Sequence, residues 1–199
     1  MEKNNIKLNI IILAGGNSLR FKENKLLYKF DEFYMYEIVL NKLIKAFKNQ
    51  NFNFFITVVT QYEDIYHNII YNKYPSFVKC VLNENCKFGI SNSIKYGIKL
   101  FEKSEWFMFV VADQPYVKYE TYFNLFFNTI ISGKNIGSLI FRGIEGNPVI
   151  FNKKYKKKLL LLNGDKGGRV ILKKNISDVY FYEINDILEL KDIDTKYDI

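Results

Sequence analysis

Cysteine and histidine are scarce in this chain of 199 residues, which carries two of the first and one of the second. Cys80 and Cys86 are spaced C-x5-C, which removes the CxxC redox and zinc patterns and leaves a reduced, buried pair as the expectation. His67 is too little to complete a metal centre with them. Without a second histidine or a Ser-His arrangement, a hydrolytic triad is disfavoured. Only three prolines and 11 glycines argue against a linker-rich or collagen-like array. No apolar run reaches the roughly 18 residues of a membrane helix. The short run Leu8 to Ala14 lacks a small-x-small cleavage pattern. The expectation is a cytoplasmic protein with no membrane association.

Hydrophobic residues make up 48% and charged residues 25%, ordinary globular usage that excludes a disordered tail or coiled coil. At about 150 residues per domain, the length predicts a single domain over residues 1–199. A formal net charge of +8 favours anionic partners without choosing among them. The strongest basic run, Lys153-Lys154-Tyr155-Lys156-Lys157-Lys158, reads as a solvated helix face or as an attractor of a polyanion. Aromatic residues reach 17%, but they fall mainly in segments expected to be core, so nucleic-acid stacking is not expected.

The pattern along the chain alternates. Leu8 to Leu13 is almost wholly apolar, as a strand covered on both faces would be. A polar, glycine-bearing loop follows over 14–25. Residues 34–48 then place Tyr36, Val39, Leu43 and Phe47 on one helical face. Further strands are predicted at 54–60, 78–82, 106–112, 136–141, 147–151 and 179–184, the 147–151 segment being the candidate antiparallel one. Helices are predicted at 63–71, 90–101, 119–131, 153–162 and 166–174. Strands and helices alternating at this pitch indicate an α/β sandwich with a mostly parallel sheet.

Five polar clusters punctuate this pattern. Leu13-Ala14-Gly15-Gly16-Asn17-Ser18-Leu19-Arg20, with Lys25 beyond, follows the first strand directly. Ligands of open α/β sheets bind at such strand ends. Adjacent glycines let backbone amides approach a phosphate, to which Arg20 and Lys25 add charge. A tight turn with solvated basic residues is the equal alternative. Asp113, in Val111-Ala112-Asp113-Gln114-Pro115, ends a buried apolar strand, where a carboxylate is costly unless it faces a polar cleft or a cation. One or two carboxylates plus substrate phosphates is how Mg²⁺ is usually held; a turn aspartate before Pro115 is the plainer reading. Gly146-Asn147-Pro148 and Gly164-Asp165-Lys166-Gly167-Gly168-Arg169 could present amides and Arg169 to an anion, although Asp165 as a helix cap is locally favoured. Phe88-Gly89-Ile90-Ser91-Asn92-Ser93 opens a helix, so its serines either cap it or touch a base or ribose. Asp194, in Asp192-Ile193-Asp194-Thr195, either approaches a metal or caps the surface.

Taken in order, LAGGNSLRF…K at 13–25, VADQP at 111–115, GNPVIF at 146–151, GDKGGR at 164–169 and DIDT at 192–195 resemble the MobA-like nucleotidyltransferases. FGISNS, GNPV and GDKGGR look most like the molybdenum cofactor cytidylyltransferase branch. The resemblance spans nearly the whole chain. It implies a three-layer α/β/α Rossmann-like nucleotidyltransferase fold with a mostly parallel, mixed sheet. It implies a nucleoside triphosphate, CTP or GTP, lying over Leu13, Ala14, Gly15, Gly16, Ser18 and Ser93. Arg20 and Lys25 would contact the triphosphate. Mg²⁺ would sit on Asp113, with Asp194 as a further contact, and Asn147 and Arg169 would face a molybdopterin-type acceptor. The implied activity is CMP transfer from CTP to that acceptor with release of pyrophosphate, by a monomer or weak oligomer with a molybdoenzyme as possible partner.

Two departures stand out. Arg20-Phe21-Lys22-Glu23-Asn24-Lys25 lacks the Arg-Met-Gly that the family loop often carries. Ala14-Gly15-Gly16 is the form typical of guanylyltransferases, where cytidylyltransferases tend to have Ala-Ala-Gly. Guanylyl transfer, transfer to a sugar phosphate, and a non-catalytic nucleotide-binding cofactor chaperone are the rival readings.

Overall fold

The structure is a computed structural model that describes residues 7–16, 24–30 and 32–198. The chain runs β1 (Lys7–Ala14), β2 (Lys29–Phe30), β3 (Phe33–Tyr34), α1 (Met35–Phe47), β4 (Asn53–Thr60), α2 (Glu63–Tyr71) and β5 (Val78–Leu82). It continues through α3 (Ile90–Leu100), β6 (Trp106–Val111), α4 (Tyr119–Ile131), β7 (Ile136–Phe141), β8 (Ile144–Asn152), α5 (Lys156–Leu160), α6 (Arg169–Lys173) and β9 (Val179–Glu183). Seven strands form one sheet in the order β5-β4-β1-β6-β8-β7-β9, and β2 and β3 pair separately as a short hairpin. β5, β4, β1 and β6 run parallel; β8 is antiparallel to both β6 and β7, and β9 is parallel to β7.

The apolar reading of β1 follows from its central place. Leu8, Ile10 and Ile12 face one core with α1, α2 and α4, while Ile11 faces a second core with α3, α5 and α6. Each such side chain, fully withdrawn from water, contributes about 1.5–3 kcal/mol. Tyr36, Val39, Leu43 and Phe47 of α1 are all fully buried, as their spacing predicts. The one polar side chain inside β1, Asn9, is satisfied there. It donates to the Gly97 carbonyl at 2.9 Å and accepts from Thr57 Oγ1 at 2.9 Å.

The connections set where a ligand can sit. After β1 the chain turns to β4 and β5 on one side; after β6 it turns to β7 and β8 on the other. The crevice beyond the ends of β1 and β6 is the point where the winding reverses, the usual ligand position in such sheets. Leu13 and Val111 are direct register partners, so the Gly15-Gly16 loop and the Asp113 turn emerge side by side.

Other differences from the sequence reading are local. The 153–162 segment is a 3-10 turn over Lys153–Tyr155 followed by a five-residue helix, and the last helix shortens to Arg169–Lys173. β8 starts earlier than expected, at Ile144, because Gly143 closes a tight turn after β7. Both cysteines are free thiols; Cys86 is buried, but Cys80 is only partly so. Among the described residues no helix is long and apolar enough to cross a membrane.

Candidate active site

The loop after β1 is held by its carbonyls. Thr60 Oγ1 donates to the Ala14 carbonyl at 3.0 Å, Gln61 Nε2 to Gly15 at 2.8 Å, and the Tyr62 hydroxyl to Gly16 at 2.7 Å. Three consecutive residues at the end of β4 thus fix three consecutive carbonyls. In a trans peptide the N–H opposes the C=O, so the Gly15 and Gly16 amides point away from β4. Gly15 and Gly16 line a cavity of about 280 Å³ together with Leu13, Lys25, Ser93 and Asp113. Backbone amides beside a cationic side chain suit a phosphate chain.

Lys25 and the acidic residues close that cavity. The Lys25 ammonium donates to Asp113 Oδ2 at 2.7 Å and to Asp194 Oδ1 at 2.9 Å. Lys25 and Asp113 keep only 12% and 24% of their side-chain exposure, so this pairing is partly shielded from solvent; Asp194 keeps 48%. Burial works against the Lys25 charge, but the two carboxylates outweigh it and hold its pKa above the ordinary lysine value. Asp194 arrives because the C-terminal segment is tied down. The Ile193 amide donates to the Asp113 carbonyl at 2.9 Å, and Gln114 Nε2 donates to the Leu190 carbonyl at 3.2 Å. Buried Glu189 accepts from Thr121 Oγ1 at 2.6 Å and from the Lys118 amide at 3.0 Å. Asp192 joins the acidic group. Partial burial of its carboxyl, then repulsion from Asp113, raises its pKa above the usual aspartate value.

One ammonium thus stands between two carboxylates, with a third nearby that resists ionising. Oxygen donors converging on one cation position fit a hard divalent ion, which keeps one or two protein carboxylates and fills its shell from phosphates and water. Among the described residues no cluster of three or more His, Cys, Asp or Glu could hold a metal without such help.

A second cavity of about 370 Å³ adjoins the first and shares Leu13, Ile90, Val111 and Asp165 with it. Its floor is apolar, from Ile94, Phe109 and Val149; its rim carries Asn147, Lys166 and Arg169. The Arg169 guanidinium donates to the Glu145 carbonyl at 3.0 Å. Two glycine-bearing loops meet between the cavities. Gly89 has φ 113°, and a Cβ there would fall 2.3 Å from the Gly164 carbonyl carbon. The Ser91 amide donates to the Gly164 oxygen at 3.1 Å.

The expected residues divide as follows. Leu13, Gly15, Gly16, Lys25, Ser93 and Asp113 share the first cavity, and Asn147 and Arg169 share the second. Asp194 reaches the first through Lys25. Ala14 is fully buried behind the loop. Ser18 and Arg20 lie outside the described residues. The capping alternatives are not realised. The N-caps of α3 and α6 are Gly89 and Gly168, with no side-chain cap, and Ser93 Oγ donates to Cys86 Sγ at 3.2 Å. The lysine run lies elsewhere. Lys153 follows β8 where that strand meets the start of β6, at the end of the sheet opposite Asp113. The sequence reading missed Gln61, Tyr62 and Asp192. The available signal was a polar triplet, Thr60-Gln61-Tyr62, closing an apolar strand at the ligand end.

Comparison with known proteins agrees with this arrangement. The family model of the MobA-like NTP transferase domain matches residues 10–179. The fold is similar to that of Rv0371c from Mycobacterium tuberculosis H37Rv, at TM-score 0.78 and 18% identity over 97% of this chain and 95% of that one. The Mycobacterium tuberculosis protein is also known as a manganese complex, with TM-score 0.69, 17% identity and coverage of 90% and 89%. A CMP:2-keto-3-deoxy-manno-octonic acid synthetase complexed with CTP aligns at TM-score 0.76 and 10% identity, covering 96% and 94%. Molybdopterin-guanine dinucleotide biosynthesis protein A from Archaeoglobus fulgidus aligns at TM-score 0.66 and 16% identity, covering 96% and 94%. At these identities the likeness is one of fold. No curated protein sequence matches the chain.

Proposed function

The chain belongs to the MobA-like NTP transferase family, and we propose that it uses Mg²⁺ to transfer CMP from CTP to the terminal phosphate of a molybdopterin-type acceptor. It is a nucleotidyltransferase, and the observation that carries the finer reading is the pair of adjoining cavities. One has amides, a lysine and two carboxylates suited to a triphosphate and its metal. The other has an apolar floor and a rim of Asn147, Asp165, Lys166 and Arg169, suited to a ring system bearing a phosphate better than to a sugar, whose hydroxyls call for polar partners. One similar fold is solved with CTP, in keeping with this reading.

In this reading an acceptor phosphate oxygen forms a bond to the α-phosphorus while the bond to pyrophosphate breaks. No covalent enzyme intermediate is needed, and in-line positioning supplies the acceleration. Asp113 and Asp194 would hold Mg²⁺, which when bound neutralises charge on the phosphates. Lys25, whose ammonium now stands between those carboxylates, would pass to the triphosphate, where Arg20 would join it. The Gly15 and Gly16 amides would follow the phosphate chain, and Ser93 would lie beside the nucleoside. Asn147 and Arg169 would steady the acceptor. The similar fold named for molybdopterin-guanine dinucleotide biosynthesis makes guanylyl transfer the second reading.

Calorimetric titration with CTP and with GTP, each with and without Mg²⁺, tests the proposal. Mg²⁺-dependent preference for CTP is expected, followed by pyrophosphate release on adding molybdopterin. Preference for GTP would replace the cytidylyl reading by the guanylyl one, and binding of neither would overturn both.

A further inference from the structure

We infer that Cys86 positions the loop after β1 and is the reason residue 15 is glycine, so that the Gly15-Gly16 pair does not report nucleobase choice. The inference rests on the nucleotide reading of the first cavity.

Cys86 sits in a 3-10 turn over Glu84–Phe88 and is only 5% exposed. It forms part of the wall of the first cavity, beside Ser93. A Cβ built on Gly15 would fall 2.5 Å from Cys86 Sγ and 2.6 Å from Cys86 Cβ, distances that real carbon atoms do not adopt. The loop cannot move away to make room. Its carbonyls at 14, 15 and 16 are held from the other side by Thr60, Gln61 and Tyr62. Nor can the thiol swing aside freely, because Ser93 Oγ is bonded to it at 3.2 Å. The contrast with Gly16 is informative, since a Cβ there would meet nothing within 4 Å. Of the two glycines, only the first is demanded by packing.

Cys86 acts here by its volume. Burial pushes its thiol pKa up, with Ser93 and Asn83 only partly offsetting the shift, so it stays protonated and is a poor nucleophile. The space that an alanine would fill from the loop side of the cavity is filled from the opposite wall. A loop of the Ala-Gly-Gly form is therefore compatible with either nucleobase in this chain.

The test is a set of double variants, read by melting temperature without ligand and by CTP and GTP affinity. Gly15→Ala alone is expected to melt lower and to bind both nucleotides about tenfold or more weakly, as overpacking does. Adding Cys86→Gly should recover both properties to the level of Cys86→Gly alone. Adding Cys86→Ala should recover less, because the residue 86 Cβ remains 2.6 Å from the new methyl. Losses that simply add in both double variants would overturn the inference. The ratio of CTP to GTP affinity should stay within a factor of about three in Gly15→Ala/Cys86→Gly, where a base-selecting methyl would shift it about tenfold or more. A shift of that size would overturn the inference by returning nucleobase choice to residue 15. If the unmodified protein binds neither nucleotide, the nucleotide reading falls and the base-choice half falls with it. The melting temperatures still decide the packing half.

Discussion

Two ionic clusters occupy opposite ends of the sheet, and they are built to different rules. At the carboxyl ends of β1 and β6, one ammonium serves two carboxylates, and Asp192 beside them is held above the ordinary aspartate pKa. At the other end the charges are matched. Lys153 pairs with Glu105 at 3.1 Å, Lys154 with Asp178 at 2.7 Å, and Lys156 with Glu102 at 2.9 Å. Burial alone would raise the Asp178 pKa, but hydrogen bonds from Asn135, Lys154 and Tyr155 outweigh it and hold it at about 2. In the second cluster each of these three lysines has its own carboxylate. Among the described residues the first gathers three aspartates around one lysine, an arrangement that suits a further cation. Perturbed groups gathered in a cleft mark function; satisfied groups at a strand end mark stability.

The difference is best broken at Asp113. Asp113→Asn should fold and melt like the parent, yet lose about a hundredfold or more of its pyrophosphate release, the scale of losing one group that stabilises transition-state charge. Full turnover in that variant would remove Asp113 from the chemistry.

Lys25→Ala separates two properties of the first cluster. CTP affinity should fall about tenfold or more, as for a lost hydrogen bond to a charged group. Mn²⁺ binding to the nucleotide-free protein should strengthen instead, because an ammonium no longer stands between Asp113 and Asp194. Equal weakening of both would show that Lys25 merely holds the loop in place.

The smallest effect belongs to the matched cluster. Asp178 has a folded pKa of about 2, below the ordinary 3.8. Its contribution is therefore present above the unfolded value and is lost as pH falls through the folded one. Asp178→Asn should cost about 1–2 kcal/mol at pH 7, measured by denaturant unfolding, with the deficit shrinking between pH 4 and pH 2 and turnover unchanged. A deficit independent of pH would assign Asp178 a hydrogen-bonding role without the charge.

Much of this contrast was legible in the chain and some was not. The lysine run read as a solvated face or as an attractor of a polyanion, and three of its lysines pair with carboxylates at the end of the sheet away from Asp113. The loop after Leu13 and the Asp113 turn were visible because each ends an apolar strand at its carboxyl end, and the other polar clusters by their glycines, serines and aspartates. The capping alternatives for Ser93 and Asp165 were locally sound and were lost to tertiary packing. The N-cap of α3 is Gly89, whose backbone meets Gly164, and that of α6 is Gly168, where a Cβ would fall 2.7 Å from Phe151 Cε2. The β2–β3 hairpin went unread because strands of two residues carry no periodicity.

The sequence by itself determined the seven strands of the sheet and its longer helices, because burial on both faces writes an apolar run into a strand and burial of one face writes a period of 3.6 into a helix. It also determined which loops were polar and basic. Only the tertiary structure decided that Lys25 meets Asp113, 88 residues away, and Asp194, 169 residues away. It alone set Cys86 under Gly15 and aligned Thr60, Gln61 and Tyr62 with the loop carbonyls. Those contacts depend on the order in which strands lie in the sheet. That order is fixed by the packing of whole elements, to which no local pattern of residues corresponds.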